Sequence, residues 1–213
     1  ASSVERRAYR QQQGMRLQSV VRSINGEAVA KLFGVGLVLG PAVDAVHNQA
    51  LLAYDAFPVG LPLDGRTSLL IPPLLAITYA LLGGVLPSVA RSLGDIQLIP
   101  NTQPLRTRAI MAVASTIAVL KLSEFLVLTQ SDDALLLLSL AALAEWLVLD
   151  GSLNALVLGL VVAVAGPLAE VPFIHAGCWH YLAPDYFPFS ATEDGISSIT
   201  GPCYFAVTTD AIA

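Results

Sequence analysis

The sequence predicts an all-α, polytopic membrane protein, a bundle of six transmembrane helices. Apolar residues make up 55% of the 213 and charged residues only 13%, with a mean hydropathy of +0.68, well outside the range of a soluble domain of this length. Apolar runs that approach the ~20 residues needed to cross ~30 Å of hydrocarbon fill most of the chain after residue 27. The turns between the middle runs are only a few residues long, so these runs must fold back on one another.

Residues 1–27 read as a polar N-terminal tail, followed by one transmembrane domain over 28–213. The stretch from Ala1 to Asn25 is rich in Arg and Gln and holds one acidic residue, Glu5. No basic segment followed by an apolar one opens the chain, so a secretory signal is expected to be absent or already removed. A transit peptide cleaved just upstream fits equally well.

The spans are read as Ala28 to His47, Ser68 to Val89, Ala109 to Leu128, Ala134 to Leu149, Leu153 to Ile174 and Ile196 to Ala213. In the first, Gly36 and Gly40 have the small-xxx-small spacing that lets helix backbones approach closely in lipid, within the bundle or between chains. The second opens on Ile71-Pro72-Pro73, where a missing N–H costs nothing, and Pro87 is expected to close it. The third, fourth and fifth are joined by Thr129 to Asp133 and Asp150 to Ser152, and are expected to be antiparallel neighbours. Pro167 is expected to kink the fifth unless neighbouring groups satisfy the freed carbonyl.

Topology follows the Lys and Arg of the tail and short loops. One side carries Arg6, Arg7, Arg10, Arg16 and Arg22, with Arg91, Arg106 and Arg108, whereas the other carries only Arg66. This places the N-terminus on the cytosolic side, or the equivalent stromal or matrix side. Loops 48–67, 129–133 and 175–195 then lie opposite.

Ionisable residues inside spans are costly, by ~2.5–3.5 kcal/mol at the centre on insertion scales, and each demands a reason. Lys31, Asp44, Asp150 and Asp210 fall near predicted ends, where headgroup contact accounts for them. Lys121 and Glu124 are three apart on one helical face and can form a local ion pair. Glu145 has no partner on its own helix, so it must be protonated, paired with Lys121 across the bundle, or open to a polar cavity.

Sequence motifs argue against catalysis. The chain holds no G-x-S-x-G elbow, H-E-x-x-H pair, P-loop or glycine-rich dinucleotide turn. A metal site built from His175, Cys178 and His180 is weighed against an interfacial aromatic belt of Trp179 and Tyr181, and the belt is preferred. Cys178 and Cys203 give no redox framework. The basic residues flank helices and serve topology, which excludes nucleic acid as a partner.

The order of motifs along the chain resembles the Insig (insulin-induced gene) family, either as a divergent or as an organellar homologue. Ile71-Pro72-Pro73 followed by Gly83, Pro87 and Leu93-Gly94-Asp95 is similar to the family's second helix. Lys121-Leu122 is similar to its third, and Ala141 to Asp150, with Trp146 and Asp150-Gly151-Ser152, to its fourth. Gly177, Tyr181 and Pro184-Asp185-Tyr186 resemble its following loop, and Pro202-Cys203 the start of its sixth helix. The chain departs at Gly151, where the family has Arg, and at Leu147, where it has a second Trp.

This resemblance implies a non-enzymatic bundle in an intracellular membrane, the endoplasmic reticulum in the family. It would hold a sterol or other lipid and dock onto another integral membrane protein. The residues expected at the lipid are Thr116, Lys121, Glu145 and Trp146, in a cavity between spans one, three, four and five. Asp150 occupies the position the family uses for its membrane partner. The alternative is an accessory subunit of a large plastid (thylakoid) or mitochondrial membrane complex, with His47 as a ligand to chlorophyll. A small transporter is disfavoured because the chain shows no internal repeat, and homo-oligomerisation is left open.

Overall fold

The computed structural model describes residues 5, 24–62, 65–94, 96–100, 102–187 and 195–212. Apart from Glu5 and residues 24–27, the polar tail lies outside the described residues. The side chain of His47 does too.

The described chain is mostly helical. Asn25 caps α1 (Gly26–Val38) by accepting hydrogen bonds from the backbone N–H of Glu27 and Ala28. The first apolar run does not form one helix, because Pro41 lacks an N–H and its ring crowds the preceding turn. The run breaks at Leu39 into α1 and α2 (Gly40–Asn48). The second run behaves in the opposite way. After α3 (Ile71–Tyr79) it widens into a π-helical turn over Ala80–Val85, in which Leu86 N–H bonds to Leu81 O, and continues as α4 (Leu86–Leu93). Pro87 therefore does not end the helix. The wider turn removes its ring from a clash with a carbonyl, and Ser88 Oγ donates to Gly84 O at 3.1 Å.

Three further long elements follow: α5 (Leu105–Leu128), α6 (Ala134–Leu149) and α7 (Leu153–His175). Helix α7 passes through Pro167 and Pro172 and ends on Gly177, whose φ is +68°. The last helix, α8 (Thr200–Ile212), is shorter than the run read from sequence. Three helical stretches among the described residues are long and apolar enough to cross a membrane: Ile71–Ala90, Leu105–Leu128 and Leu153–His175.

The structure adds two pairs of short antiparallel strands that the all-α reading lacked. Strand β1 (Leu52–Tyr54) pairs with β4 (Trp179–Tyr181), and β2 (Pro58–Gly60) with β3 (Arg66–Ser68). The first pair joins loops 48–67 and 175–195. At another corner, a Gln97↔Ser152 bridge ties the segment before α5 to the turn between α6 and α7.

Helix α8 is the centre of the packing, with α5, α6 and α7 against it. Helices α6 and α7, although joined by a short turn, do not pack along their lengths, which corrects the expectation that they are neighbours. The reason is the small-residue face of α7. A Cβ at Gly159 would meet Phe205 at 2.8 Å and one at Gly166 would meet Tyr204 at 2.6 Å, so α8 fits against α7 only because these side chains are missing. Gly36 does the same for α1 on α3, where a Cβ would lie 2.5 Å from Leu75 O and 2.8 Å from the Cα of Ala76. The Gly36–Gly40 spacing thus serves contact within the bundle.

Gly36→Ala is expected to destabilise the fold by about 1–3 kcal/mol, because the obstruction is backbone and cannot rotate away. Gly34→Ala, on the same helix with nothing within 4 Å of its Cβ position, is expected to be neutral or stabilising. Thermal unfolding of both variants in the same detergent measures the contrast, and equal melting shifts would contradict the close α1–α3 contact.

Candidate functional site

The described residues line a cavity of about 260 Å³ that is open on one side. Its walls come from α2, α3 and the π turn, α5, α7 and α8, and its floor from β1 and β4. Helix α6 contributes none of the lining. In terms of the apolar runs, the first, second, third, fifth and sixth surround it rather than one, three, four and five.

The floor follows from strand alternation. Trp179 and Tyr181 of β4 turn inward and are buried, while His180 between them faces out, with Nδ1 2.7 Å from Asp55 Oδ2. This corrects the reading of Trp179 and Tyr181 as an interfacial belt. The Trp179 ring stacks on Phe173 with centroids 5.0 Å apart and planes at 12°, and Tyr54 meets it edge-on at 6.4 Å. Such ring pairs add about 0.5–1.5 kcal/mol beyond area burial. Among the described residues no group of three or more His, Cys, Asp or Glu could hold a metal.

The wall is mostly apolar, from Val43, Leu74, Leu75, Leu120 and Val207 among others, with polar groups gathered at two places. Glu170 of α7 accepts hydrogen bonds from Tyr181 on Oε2 at 2.8 Å and from Tyr204 of α8 on Oε1 at 2.9 Å. Thr200 Oγ1 donates to the Tyr181 hydroxyl at 3.2 Å. Burial, and after it the Glu170 charge, push the Tyr181 phenol well above the ordinary tyrosine range, so it remains a donor. Across the cavity, Asp44 of α2 accepts from the Tyr54 hydroxyl at 2.8 Å.

Glu170 is the residue that the reading of the spans missed. The signal was present as one acidic residue near the end of an otherwise uncharged apolar run, followed eleven residues later by a tyrosine that turns back toward it.

Of the residues expected at a lipid, Thr116 lines the cavity, and its hydroxyl donates to Asp210 Oδ2 of α8. Lys121 does not line it. It lies on the outer face of α5, its Nζ 2.6 Å from Glu124 Oε2, the local pair expected from the spacing. Glu145 is buried against α8 and interacts with the Asp210 carboxyl rather than with Lys121. Trp146 is buried against the turn after α6, where its Nε1 donates to Ser152 O at 3.0 Å.

Asp150 closes that turn. Its Oδ2 accepts from Ser152 N–H at 2.7 Å, and its backbone carbonyl accepts from the Gln97 side chain. Gly151 has φ +67°, and a Cβ there would lie 2.8 Å from Ile99 O, which explains a glycine at the position where the resembled family has arginine. His47 belongs by its backbone to α2, and its side chain is outside the described residues. The Pro184-Asp185-Tyr186 segment guides the chain into α8. Both Asp185 oxygens accept from Ser198, and Tyr186 bridges Ile196.

No protein-family model matches the chain, and no curated protein matches it in sequence. Solved structures do match. The mycobacterial Insig homolog MvINS from Mycobacterium vanbaalenii superposes with a TM-score of 0.64 at 22% identity, over 89% of this chain and 92% of that one. A cross-linked trimer of MvINS superposes at the same identity and coverage with a TM-score of 0.63. At this identity the likeness concerns the fold. Together with the apolar helices, it marks this chain as an integral membrane protein with an Insig-like fold.

Proposed function

We propose that the chain is a non-enzymatic membrane protein that holds a sterol or other lipid in its cavity and docks onto a partner membrane protein. The observation that carries this reading is the cavity itself. Apolar walls with a few convergent polar groups are the usual composition of a small-molecule site, and the volume lies just under the common range of about 300–1,000 Å³. A ligand with one polar end and an apolar body would set the end against Glu170 or Asp44 and the body against the leucines.

The six-span topology belongs to the same proposal. The spans would be α1 with α2, α3 through α4, α5, α6, α7 and α8. Two pairings support it. Loops 48–67 and 175–195, which an alternating six-span path puts on one side, meet as β1 and β4. The segment 90–100 and the 150–152 turn, assigned to the other side, meet through Gln97 and Ser152. At about 1.5 Å per residue, the thirteen residues of α8 reach only ~20 Å, short of the ~30 Å hydrocarbon. Burial among α5, α6 and α7 is what lets so short an element sit at membrane depth. The N-terminus would lie on the side that carries the arginines.

Docking would work by population shift. A lipid that binds one arrangement of the bundle better than another favours that arrangement, and a partner that reads it gains affinity. Asp150 would act through the shape of its turn, since its carboxyl is buried in that turn. Because the mycobacterial homolog has been crystallised as a cross-linked trimer, a second copy of this chain is one candidate partner.

Mass spectrometry of protein purified in mild detergent is expected to find a stoichiometric lipid. Ala169→Phe, which places a ring in the cavity, is expected to weaken its retention by about tenfold, ~1.4 kcal/mol, with the helical circular dichroism unchanged. Unaltered retention in this variant would remove the cavity as the lipid site. Capture of the native partner is expected to fall after lipid stripping, and full capture by the stripped protein would remove the coupling.

A further inference from the structure

We propose that the cavity is filled sideways, through a window between α3 and α7, and that its ligand comes from the surrounding bilayer and keeps part of its apolar body in that window. The proposal rests on the lipid-holding reading and adds to it the route of entry and the seating of the ligand.

The route follows from how the wall is joined. Around the cavity α3 packs on α2, α2 on α5, α5 on α8 and α8 on α7. The circle is not completed, because α7 and α3 line the same space but do not pack along their lengths. The gap is closed at its two ends. At the floor, Ile71 at the start of α3 joins Val171 and Ile174 of α7 and Trp179 of β4 in one buried cluster. At the other end the π turn that follows α3 meets α8. What remains is a window partway along two helices.

Exposure locates its rim. Gly166 and Glu170, four apart on one face of α7, both meet Tyr204 of α8. Ala169 is about 100° round the helix from Glu170. It lines the cavity and is nevertheless exposed, which places it where the cavity opens. On α3 the half-buried Leu74 and Thr78 line the same space. The Thr78 hydroxyl donates to Leu74 O at 2.9 Å, so its one proton is used within its own helix and this side of the rim is effectively apolar.

The window faces hydrocarbon. It lies between two of the stretches that are long and apolar enough to cross a membrane, Ile71–Ala90 and Leu153–His175. Exposed Ile77 and Leu81 on one, and Val161 and Val164 on the other, continue the apolar surface outward. A lipid that enters here passes from one apolar medium to another, whereas a route through water would expose every methylene of its body. The volume agrees with partial enclosure, since about 260 Å³ is less than sites that swallow their ligand commonly offer, about 300–1,000 Å³.

The test uses the full chain, stripped of bound lipid and reconstituted into phosphatidylcholine vesicles. The probes are a diazirine-bearing sterol and a diazirine-bearing long-chain alcohol, and labelled residues are mapped by mass spectrometry after photolysis. Leu120 and Cys203 line the cavity but are buried from the outer surface, so labels there report entry. Labels on exposed Val161 and Val164 report contact with the bilayer alone. At least one probe is expected to label Leu120 or Cys203. In Ala169→Trp, which narrows the window, interior labelling after a short incubation is expected to fall by about tenfold while labelling of Val161 and Val164 is unchanged. Thr78→Trp narrows the opposite rim and serves should Ala169→Trp fail to fold. Interior labelling undiminished in both variants would overturn the α3–α7 route and leave the lipid-holding reading intact. So would absence of interior labelling from a protein that still co-purifies with a stoichiometric lipid. Absence of both interior labelling and co-purified lipid would overturn both.

Discussion

A carboxyl group at membrane depth must find its partners inside the protein, and in this chain the carboxyl of Glu170 determines where several elements go. Glu170 lies near the end of α7, in a stretch with no other charge. Its hydroxyl partners come from two separate places, Tyr181 in the loop beyond α7 and Tyr204 on α8. Reaching Glu170 requires the loop to turn back under the bundle, and it requires α8 to lie along α7. The β1–β4 pair and the Asp185–Ser198 contacts hold these two routes, the first by backbone pairing and the second at the entry to α8. Hydrogen bonds to a charged group are worth about 1.5–3 kcal/mol each.

Proline and glycine shape the space above it. Pro41 breaks the first run so that α2 bends away from α1 and brings Asp44 to the cavity, while the π turn before Pro87 keeps the second run continuous and sets Leu82 in the wall. The same residue type thus has opposite outcomes. At Pro41 the run breaks into two helices, whereas at Pro87 a preceding Gly83-Gly84 pair lets the backbone widen and pass. Gly166 holds Tyr204 close to α7, which is the approach the Glu170 contact needs.

Much of the helical framework was legible in the sequence, because hydropathy is a direct readout of what the bilayer demands of a backbone. The fourth run is recovered with both ends as read, Ala134 and Leu149, since polar turns flank a uniform apolar stretch. What hydropathy cannot encode is which helices touch. The short 150–152 turn argued for α6 beside α7, yet α8 lies between them. That outcome depends on Gly159 and Gly166 facing Phe205 and Tyr204, a match between residues some forty positions apart. The strand pairs were missed for a similar reason, as three-residue strands carry almost no local signal and exist only because their partners are distant in sequence. Of the site, Thr116 was named and Asp44 was noted but assigned to a membrane surface. Glu170, close to a helix end and among small residues, attracted no reading at all. The reading built on the Insig resemblance captured the fold and expected a cavity but misplaced its walls, since the family's short motifs fall largely at turns and entries. Asp150 to Ser152 and Pro184 to Tyr186 are structural punctuation here.

Two carboxyl pairs, one of them lining the cavity and one not, bear on what the cavity is for. Glu145 and Asp210 interact with each other where α6 meets α8, Thr116 donates to Asp210, and neither carboxyl lines the cavity. Glu170 and Asp44, by contrast, receive ordered hydroxyl donors and open onto a space large enough for a ligand group. Had the polar residues of this bundle served packing alone, both sites would be expected to close around their carboxyls, as interiors normally do. Both pairs receive a hydroxyl donor, but only Glu170 and Asp44 themselves line the cavity. The difference between them, rather than the presence of acidic residues as such, is what supports the proposal that the α7–α8–β4 corner binds a ligand, with the α6–α8 contact a feature of the core.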